Sequence, residues 1–159
     1  FDIKGEVENM IKKIITIFLT IIMLFSFSAC SSKEAKLKDG YYTAHIDGFE
    51  TGHGWQEYVV IGVSNGRIIT VEYNAITAEG FKKSWDMAYM RNMNKTQGTY
   101  PNNYTRRYAA QLLEKQSVDD IDAVSGATNS GKNFRLLVEA ALEKAKTGDC
   151  SVTIVSHES

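Results

Sequence analysis

Hydrophobic and polar residues alternate along three short stretches in the first half of the chain, with the period of two that is typical of half-buried strands. In "GYYTAHI", every second residue from Tyr42 onwards falls on one face. Two further stretches, residues 58–63 and 68–73, flank the pair Asn65-Gly66. This pair accepts the positive φ angles of a tight turn. The pattern therefore predicts a first strand followed by a β-hairpin.

The apolar period changes to about 3.6 residues in the second half, as in amphipathic helices. Ser84 stands where it would cap a first helix, and Gly98 and Pro101 separate that helix from a second. The third helix is predicted over residues 130–146 and is ended by Gly148.

A final strand-like run, "CSVTIV", follows the third helix. Strands, then helices, then a strand predict an α+β fold with an antiparallel sheet and helices packed on it. The length of 159 residues suits one domain with short extras. We expect this domain over residues 40–159.

The beginning of the chain has a different character. From Met10 it reads "MIKKIITIFLTIIMLFSFSAC", in which two lysines precede an apolar run at residues 14–27. This run is shorter than the roughly 20 residues of a membrane span, and it suits a signal peptide. We expect the signal peptide at residues 1–29, with residues 1–9 an upstream extension.

"FSAC" resembles a bacterial lipobox, in which the cysteine carries lipid and becomes the mature N-terminus. Residues 30–39 are then the lipidated Cys30 and a polar tether, and the predicted location is the extracytoplasmic face of the cell membrane. An ordinary signal peptide, an uncleaved anchor, and a disulfide between Cys30 and Cys150 remain alternatives. The formal net charge of −1 gives no field that would draw the chain to nucleic acid.

Three hydroxyl residues, Ser125, Thr128 and Ser130, surround Gly126 where the third helix is predicted to begin. Free backbone N–H groups and the helix dipole favour an anion at such a helix start. Gly126 would let the backbone approach a ligand closely. A capping role for one hydroxyl is the simpler alternative. The GxxxxGK[ST] spacing of a nucleotide P-loop is absent.

The stretch "DAVSGAT", residues 122–128, resembles the D-x-x-[ST]-G-A-[ST] acceptor motif of FMN-binding domains. These domains occur in subunits of sodium-pumping and ferredoxin-linked respiratory complexes and in small exported flavoproteins. In that family a flavin transferase moves FMN from FAD onto the last threonine. The resemblance implies that Thr128 carries the FMN. "GFKKSWDMAYM" and "YPNNYTRRYA" also resemble small lipoprotein members of the family.

The resemblance also assigns the surroundings of the cofactor. Asp122 is the part of the motif that the transferase reads. The residues expected around the phosphate are Ser125, Gly126, Ala127, Thr128, Asn129 and Ser130. An isoalloxazine ring needs an apolar slot. The aromatic and sulfur candidates for it are Trp85, Met87, Tyr89, Met90 and Tyr100, although aromatic and Met residues at helical spacing are often core residues. No spacing of ligand residues predicts a metal site.

The function that follows is a membrane-anchored extracytoplasmic flavoprotein that acts in electron transfer rather than as a substrate-specific enzyme. Its expected partners are the flavin transferase, a membrane redox donor or acceptor, and the lipid bilayer through Cys30. A surface lipoprotein that binds a phosphorylated ligand or flavin non-covalently, without a redox role, is the alternative.

Overall fold

The structure is a computed structural model that describes residues 7, 10, 13, 14, 36–49 and 53–156. The chain divides into two units, Phe1–Ala35 and Lys36–Ser159. Within the described ranges, no helix is both long enough and apolar enough to cross a membrane. Cys30 and most of the predicted signal-peptide core lie outside the described residues, so those predictions stay predictions.

A four-stranded sheet forms the base of the second unit, with the strand order β3-β2-β1-β4. The predicted hairpin is confirmed, because Asn65 and Gly66 turn the chain with φ angles of 53° and 74°. Such a turn follows the right-handed twist of the strands that it joins. The strands are β1 (Gly40–Ile46), β2 (Gln56–Ser64), β3 (Arg67–Ile76) and β4 (Thr153–Val155).

Three helices follow the hairpin, and a short 3-10 turn, Lys83–Trp85, precedes them. The prediction that Ser84 caps the first helix is wrong, since Ser84 lies within this turn. Its hydroxyl accepts a hydrogen bond from the side-chain amide of Asn74 at 2.8 Å. Asp86 caps the helix instead, accepting the N–H of Tyr89 at 2.9 Å. The helices are α1 (Met87–Gln97), α2 (Pro101–Lys115) and α3 (Thr128–Thr147).

The last strand corrects the expectation of an antiparallel sheet, because β4 pairs with β1 in parallel and the sheet is mixed. The cause is the position at which α3 ends. The backbone N–H of Lys38, just before β1, donates to the Ala145 carbonyl at 2.9 Å. The chain therefore leaves α3 beside the start of β1 and runs in the same direction, which places Thr153 opposite Ala44.

Helices α2 and α3 pack on one face of the sheet and bury the apolar core between them. The Phe134 ring of α3 lies 4.9 Å from the Tyr73 ring of β3 and 5.4 Å from the Tyr108 ring of α2. Each fully buried apolar side chain stabilises the fold by about 1.5–3 kcal/mol. These contacts fix the first turns of α3 against both the sheet and α2. Helix α1 has no buried residue, and its half-buried Met93 packs against this core.

Candidate functional site

Helix α3 begins without a side-chain cap. Its N-cap is Ala127, and no side chain accepts a hydrogen bond there. Among the described residues, the hydroxyls of Ser125 and Thr128 have no hydrogen-bond partner, and that of Ser130 donates to Glu57 at 3.2 Å. The three hydroxyls therefore do not cap the helix. This finding leaves the hydroxyl of Thr128, an exposed residue, available for chemistry.

Backbone donors are free at the same place. The first bond of the α3 ladder joins the Gly131 N–H to the Ala127 carbonyl at 2.9 Å. The N–H groups of Thr128, Asn129 and Ser130 precede it and have no intrahelical acceptor. Free N–H groups and the positive end of the helix dipole favour a phosphate by roughly 0.3–1 kcal/mol per charge. These donors are compatible with the predicted anion site, which stays a prediction.

The loop that leads into α3 is fixed by Tyr108 of helix α2. The Tyr108 hydroxyl accepts a hydrogen bond from the Val124 N–H at 3.0 Å and donates to the Ala127 carbonyl at 3.3 Å. A Cβ atom at Gly131 would overlap this hydroxyl. One buried side chain thus holds both ends of the Val124–Ala127 turn, and the glycine of the first helical turn makes room for it.

Asp122, the first residue of the motif, faces solvent rather than the helix start. Its carboxylate accepts a hydrogen bond from Lys115 at 2.7 Å, and this bond lowers the pKa of Asp122. The side chain of Gln111 accepts the Asp122 N–H at 2.7 Å and donates to the Asp122 carbonyl at 3.2 Å. The exposed position is compatible with recognition by another protein, which remains a prediction.

A cavity of about 690 Å³ opens beside the start of α3. Its size falls in the range of small-molecule sites, roughly 300–1,000 Å³. The wall combines the start of α3 with residues of α1 and β2. The lining residues are His53, Glu57, Lys83, Tyr89, Asn92, Met93, Thr96, Gln97, Gly126, Ala127, Thr128, Asn129, Ser130 and Asn133.

Glu57 of β2 provides a fixed carboxylate in this wall. It accepts hydrogen bonds from the Ser130 hydroxyl and from the Tyr73 hydroxyl, the latter at 2.9 Å. The Tyr73 hydroxyl also lies 2.7 Å from the Ser130 carbonyl. Burial, followed by the charge of Glu57, raises the pKa of Tyr73, so this hydroxyl stays protonated and can donate. The single proton of this hydroxyl is shared between the Glu57 carboxylate and the Ser130 carbonyl, and the Ser130 hydroxyl is the second donor to Glu57.

Lys83 brings a positive charge to the same cavity. Its ammonium lies 4.7 Å from the centroid of the Tyr89 ring and 5.7 Å from that of Trp55. Both distances are within the range of about 6 Å over which a ring face attracts a cation. In the part of the chain that the structure describes, Lys83 has no ion-pair partner.

Of the predicted ring contacts, Tyr89 lines this cavity, whereas Trp85, Met87 and Tyr100 lie elsewhere. Trp85, 60% exposed, lines a separate cavity of about 230 Å³ together with Lys82 and other residues. Met87 is 62% exposed, and Tyr100 is the N-cap of α2. None of these three lines the cavity at Thr128, and their contact with a ring stays a prediction.

Glu57 and Lys83 were missed by sequence reasoning. Ser130 and Glu57 are 73 positions apart in the chain, and no local spacing relates them. Lys83 belongs to the pair Lys82-Lys83, and sequence alone does not distinguish the lysine that faces the cavity. Tyr89 is the residue of this part of the cavity that the sequence does indicate, because it belongs to the aromatic residues of "GFKKSWDMAYM".

Comparison with known proteins identifies the cofactor of this domain. A family model described as FMN-binding domain matches residues 52–143, more than half of the chain. The chain belongs to the FMN-binding domain family. The matched part of this FMN-binding domain includes the hairpin, all of α1 and α2, and the start of α3 with Thr128. FMN is accordingly its cofactor.

Two relatives extend the likeness over most of this FMN-binding domain. The 15 kDa lipoprotein of Treponema pallidum (strain Nichols) is 34% identical over 121 residues, which are 76% of this chain and 84% of that protein. A protein of Clostridium perfringens with a solved crystal structure has 36% sequence identity and a TM-score of 0.72. That likeness covers 77% of this chain and 99% of the other.

The residues of the cavity fit FMN. The free N–H groups of the first turn of α3 are suited to the phosphate. The polar side chains of Asn92, Gln97 and Asn133 and the half-buried ring of Tyr89 form a wall of mixed polarity. Such a wall suits a ring with one apolar edge and one hydrogen-bonding edge.

Proposed function

We propose that this protein is a membrane-anchored, extracytoplasmic flavoprotein that carries FMN covalently on Thr128 and takes part in electron transfer. The observation that supports attachment is the state of the Thr128 hydroxyl. It is exposed, has no partner among the described residues, and lines a cavity whose wall includes uncapped backbone donors. The membrane anchor is supported by the likeness to a lipoprotein.

The proposed attachment is a transfer of the FMN group from FAD by a flavin transferase. A bond forms between the Thr128 oxygen and the flavin phosphate, the pyrophosphate bond of FAD breaks, and AMP leaves. The threonine proton is released. The product keeps about one negative charge at the N-terminus of α3, where the helix dipole stabilises it.

The chain supplies binding and orientation, and the flavin supplies the exchange of electrons with partners. A covalent bond keeps the cofactor in place outside the cell, since a site of micromolar affinity, about −8 kcal/mol, would lose free FMN by dilution. The fixed loop around Gly126 and Tyr108 holds the attachment point in one position. The redox partners are proposed to be a membrane donor and an external acceptor.

Thr128→Val tests the attachment, because valine keeps the shape and β-branching of threonine but has no oxygen. The full chain is coexpressed with a flavin transferase and exported, and the peptide that contains Thr128 is analysed by mass spectrometry. We expect the wild type to gain the mass of FMN less one water and Thr128→Val to gain nothing.

Ser130→Ala is the matched control, since it removes a neighbouring hydroxyl and should still be modified. Covalent flavin on Thr128→Val, or an unmodified wild type beside an active transferase, would contradict the proposal. Flavin that leaves the wild type on denaturation would favour reversible binding instead.

A further inference from the structure

Two adjacent lysines differ in their environment although they share one short segment. Lys82 pairs with the Glu72 carboxylate, places its ammonium 5.5 Å from the Trp85 ring centroid, and lines the smaller cavity. Lys83 has no ion-pair partner among the described residues, and it lines the cavity of Thr128. Lys82 is therefore paired locally, whereas Lys83 brings to the Thr128 cavity a positive charge that has no ion-pair partner in the described part of the chain.

Lys83 is held in place by its surroundings. The Lys83 carbonyl accepts the Asp86 N–H at 3.2 Å within the 3-10 turn, and Asp86 in turn caps α1. The rings of Tyr89 and Trp55 contact each other at 6.4 Å between centroids, and the ammonium lies over both. A ring face attracts the charge but accepts no conventional hydrogen bond, so the three N–H donors of the ammonium remain available to a ligand.

The polar and charged groups of the cavity suit different parts of the ligand. The phosphate has its own donors in the N–H groups that begin α3. Glu57 accepts hydrogen bonds from Ser130 and Tyr73. The cation and the aromatic ring of Tyr89 occur together, and an aromatic wall is where a flat ring stacks.

We propose that Lys83 faces the isoalloxazine ring of the bound FMN and raises its reduction potential. This inference rests on the proposed function of the Thr128 cavity. Reduction adds two electrons from the redox partner and one proton from solvent, and it leaves one negative charge on the pyrimidine side of the ring at neutral pH. A fixed ammonium beside that charge stabilises the reduced form more than the oxidised form. Tyr89 and Trp55 keep the ammonium close without neutralising it.

The test compares the midpoint potentials of flavin-loaded full-length proteins in a spectroscopic titration with dithionite, which is oxidised to sulfite as it supplies two electrons per flavin. We expect Lys83→Met to have a more negative midpoint potential than the wild type. Lys83→Arg, which keeps the charge, should restore most of the shift. Lys82→Met is the matched control and should leave the potential unchanged, because Lys82 is paired outside the cavity.

A second measurement needs no variant. An amine-reactive reagent is applied to the wild type with and without covalent flavin, and labelled peptides are counted by mass spectrometry. Lys83 should lose most of its labelling on loading, whereas Lys82 should keep its own. Equal midpoint potentials of Lys83→Met and wild type at full loading would contradict the role of Lys83 but not the proposed function. Equal protection of both lysines from labelling would do the same. A wild type that takes up no flavin would overturn the proposed function as well.

Discussion

The backbone of Gly126 lies directly against the carbonyl oxygen of Gln97, the last residue of α1. Gly126 has a φ angle of +77°, and a Cβ atom built on it would overlap this oxygen. The glycine of the acceptor motif therefore serves the packing of the loop against α1 as well as the approach of a ligand. The end of one helix and the entrance of another are in contact at this position.

Gly126→Ala should consequently reduce both stability and flavin loading. The left-handed conformation costs an L residue about 1–2 kcal/mol, and the contact with Gln97 adds to this. Gly98→Ala is the matched control, since Gly98 has a φ angle of +69° but nothing within 4 Å of its Cβ position. We expect Gly98→Ala to lose stability in urea unfolding but to load fully. Equal loading of the two variants would contradict a role of this contact in the site.

Tyr108→Phe should loosen the motif loop because it removes the hydroxyl that bonds to Val124 and Ala127. The Val124 N–H is then buried without an acceptor, which costs about 1–3 kcal/mol. Urea unfolding measures this loss, and mass spectrometry measures a slower gain of flavin with the transferase.

Tyr42→Phe provides the comparison for Tyr108→Phe. Tyr42 is also buried, and its hydroxyl donates to the Lys38 carbonyl at 2.8 Å, beside the end of α3 rather than its start. This variant should lose some stability and load at the wild-type rate. Equal slowing of loading in both variants would show that general stability, and not the loop, determines the rate.

Glu72 should contribute to the pH dependence of stability. Hydrogen bonds from Lys82 and then from Tyr58 lower the pKa of Glu72, so the folded protein binds fewer protons there than the unfolded chain. This contribution is present above about pH 4.5 and is lost as the pH falls through the folded pKa. Since the pair is partly exposed, we expect at most about 1 kcal/mol.

Urea unfolding at pH 7 and at pH 3 checks this prediction. Glu72→Gln should show a smaller difference between the two pH values than the wild type. Glu114→Gln, at an exposed position of α2 without an ion-pair partner in the described part of the chain, should keep the wild-type difference. An unchanged difference in Glu72→Gln would contradict the assignment.

The proposed anchor is tested by Cys30→Ala, which should leave an unprocessed precursor or release the domain from the membrane fraction. Cys150 is a free, exposed thiol, so Cys150→Ala should fractionate like the wild type. Immunoblots of membrane and soluble fractions measure both variants. A Cys30→Ala protein that migrates and fractionates like the wild type would exclude lipidation.

Features with local causes could be predicted from the sequence. Asn65-Gly66 determines the hairpin turn, and the apolar stripe that includes Phe134 determines most of α3. The direction of β4 could not be predicted, because it depends on α3 ending beside Lys38. The choice of Asp86 over Ser84 as a cap could not be predicted either. The Ser84 hydroxyl accepts a hydrogen bond from the side-chain amide of Asn74, which lies in β3.

The candidate site divides in the same way. The seven residues ending at Thr128 are contiguous, and a motif identifies them. Another part of the wall, with Glu57 and Lys83, comes from β2 and from the turn before α1. Glu57 reaches Ser130 only because α3 packs on the sheet. The sequence next to Glu57 and next to Lys83 therefore does not predict their position in the cavity.

Helix α3 also determines how far the cofactor site lies from the point at which the chain enters the domain. Lys38 is bonded to the last turn of α3 through Ala145 and Thr147, while Thr128 is the first residue of the helix. Twenty residues at a rise of 1.5 Å each separate the two ends by about 30 Å. The start of the described domain and the proposed attachment residue therefore lie at opposite ends of α3, and under the proposed function this helix would act as a spacer between them.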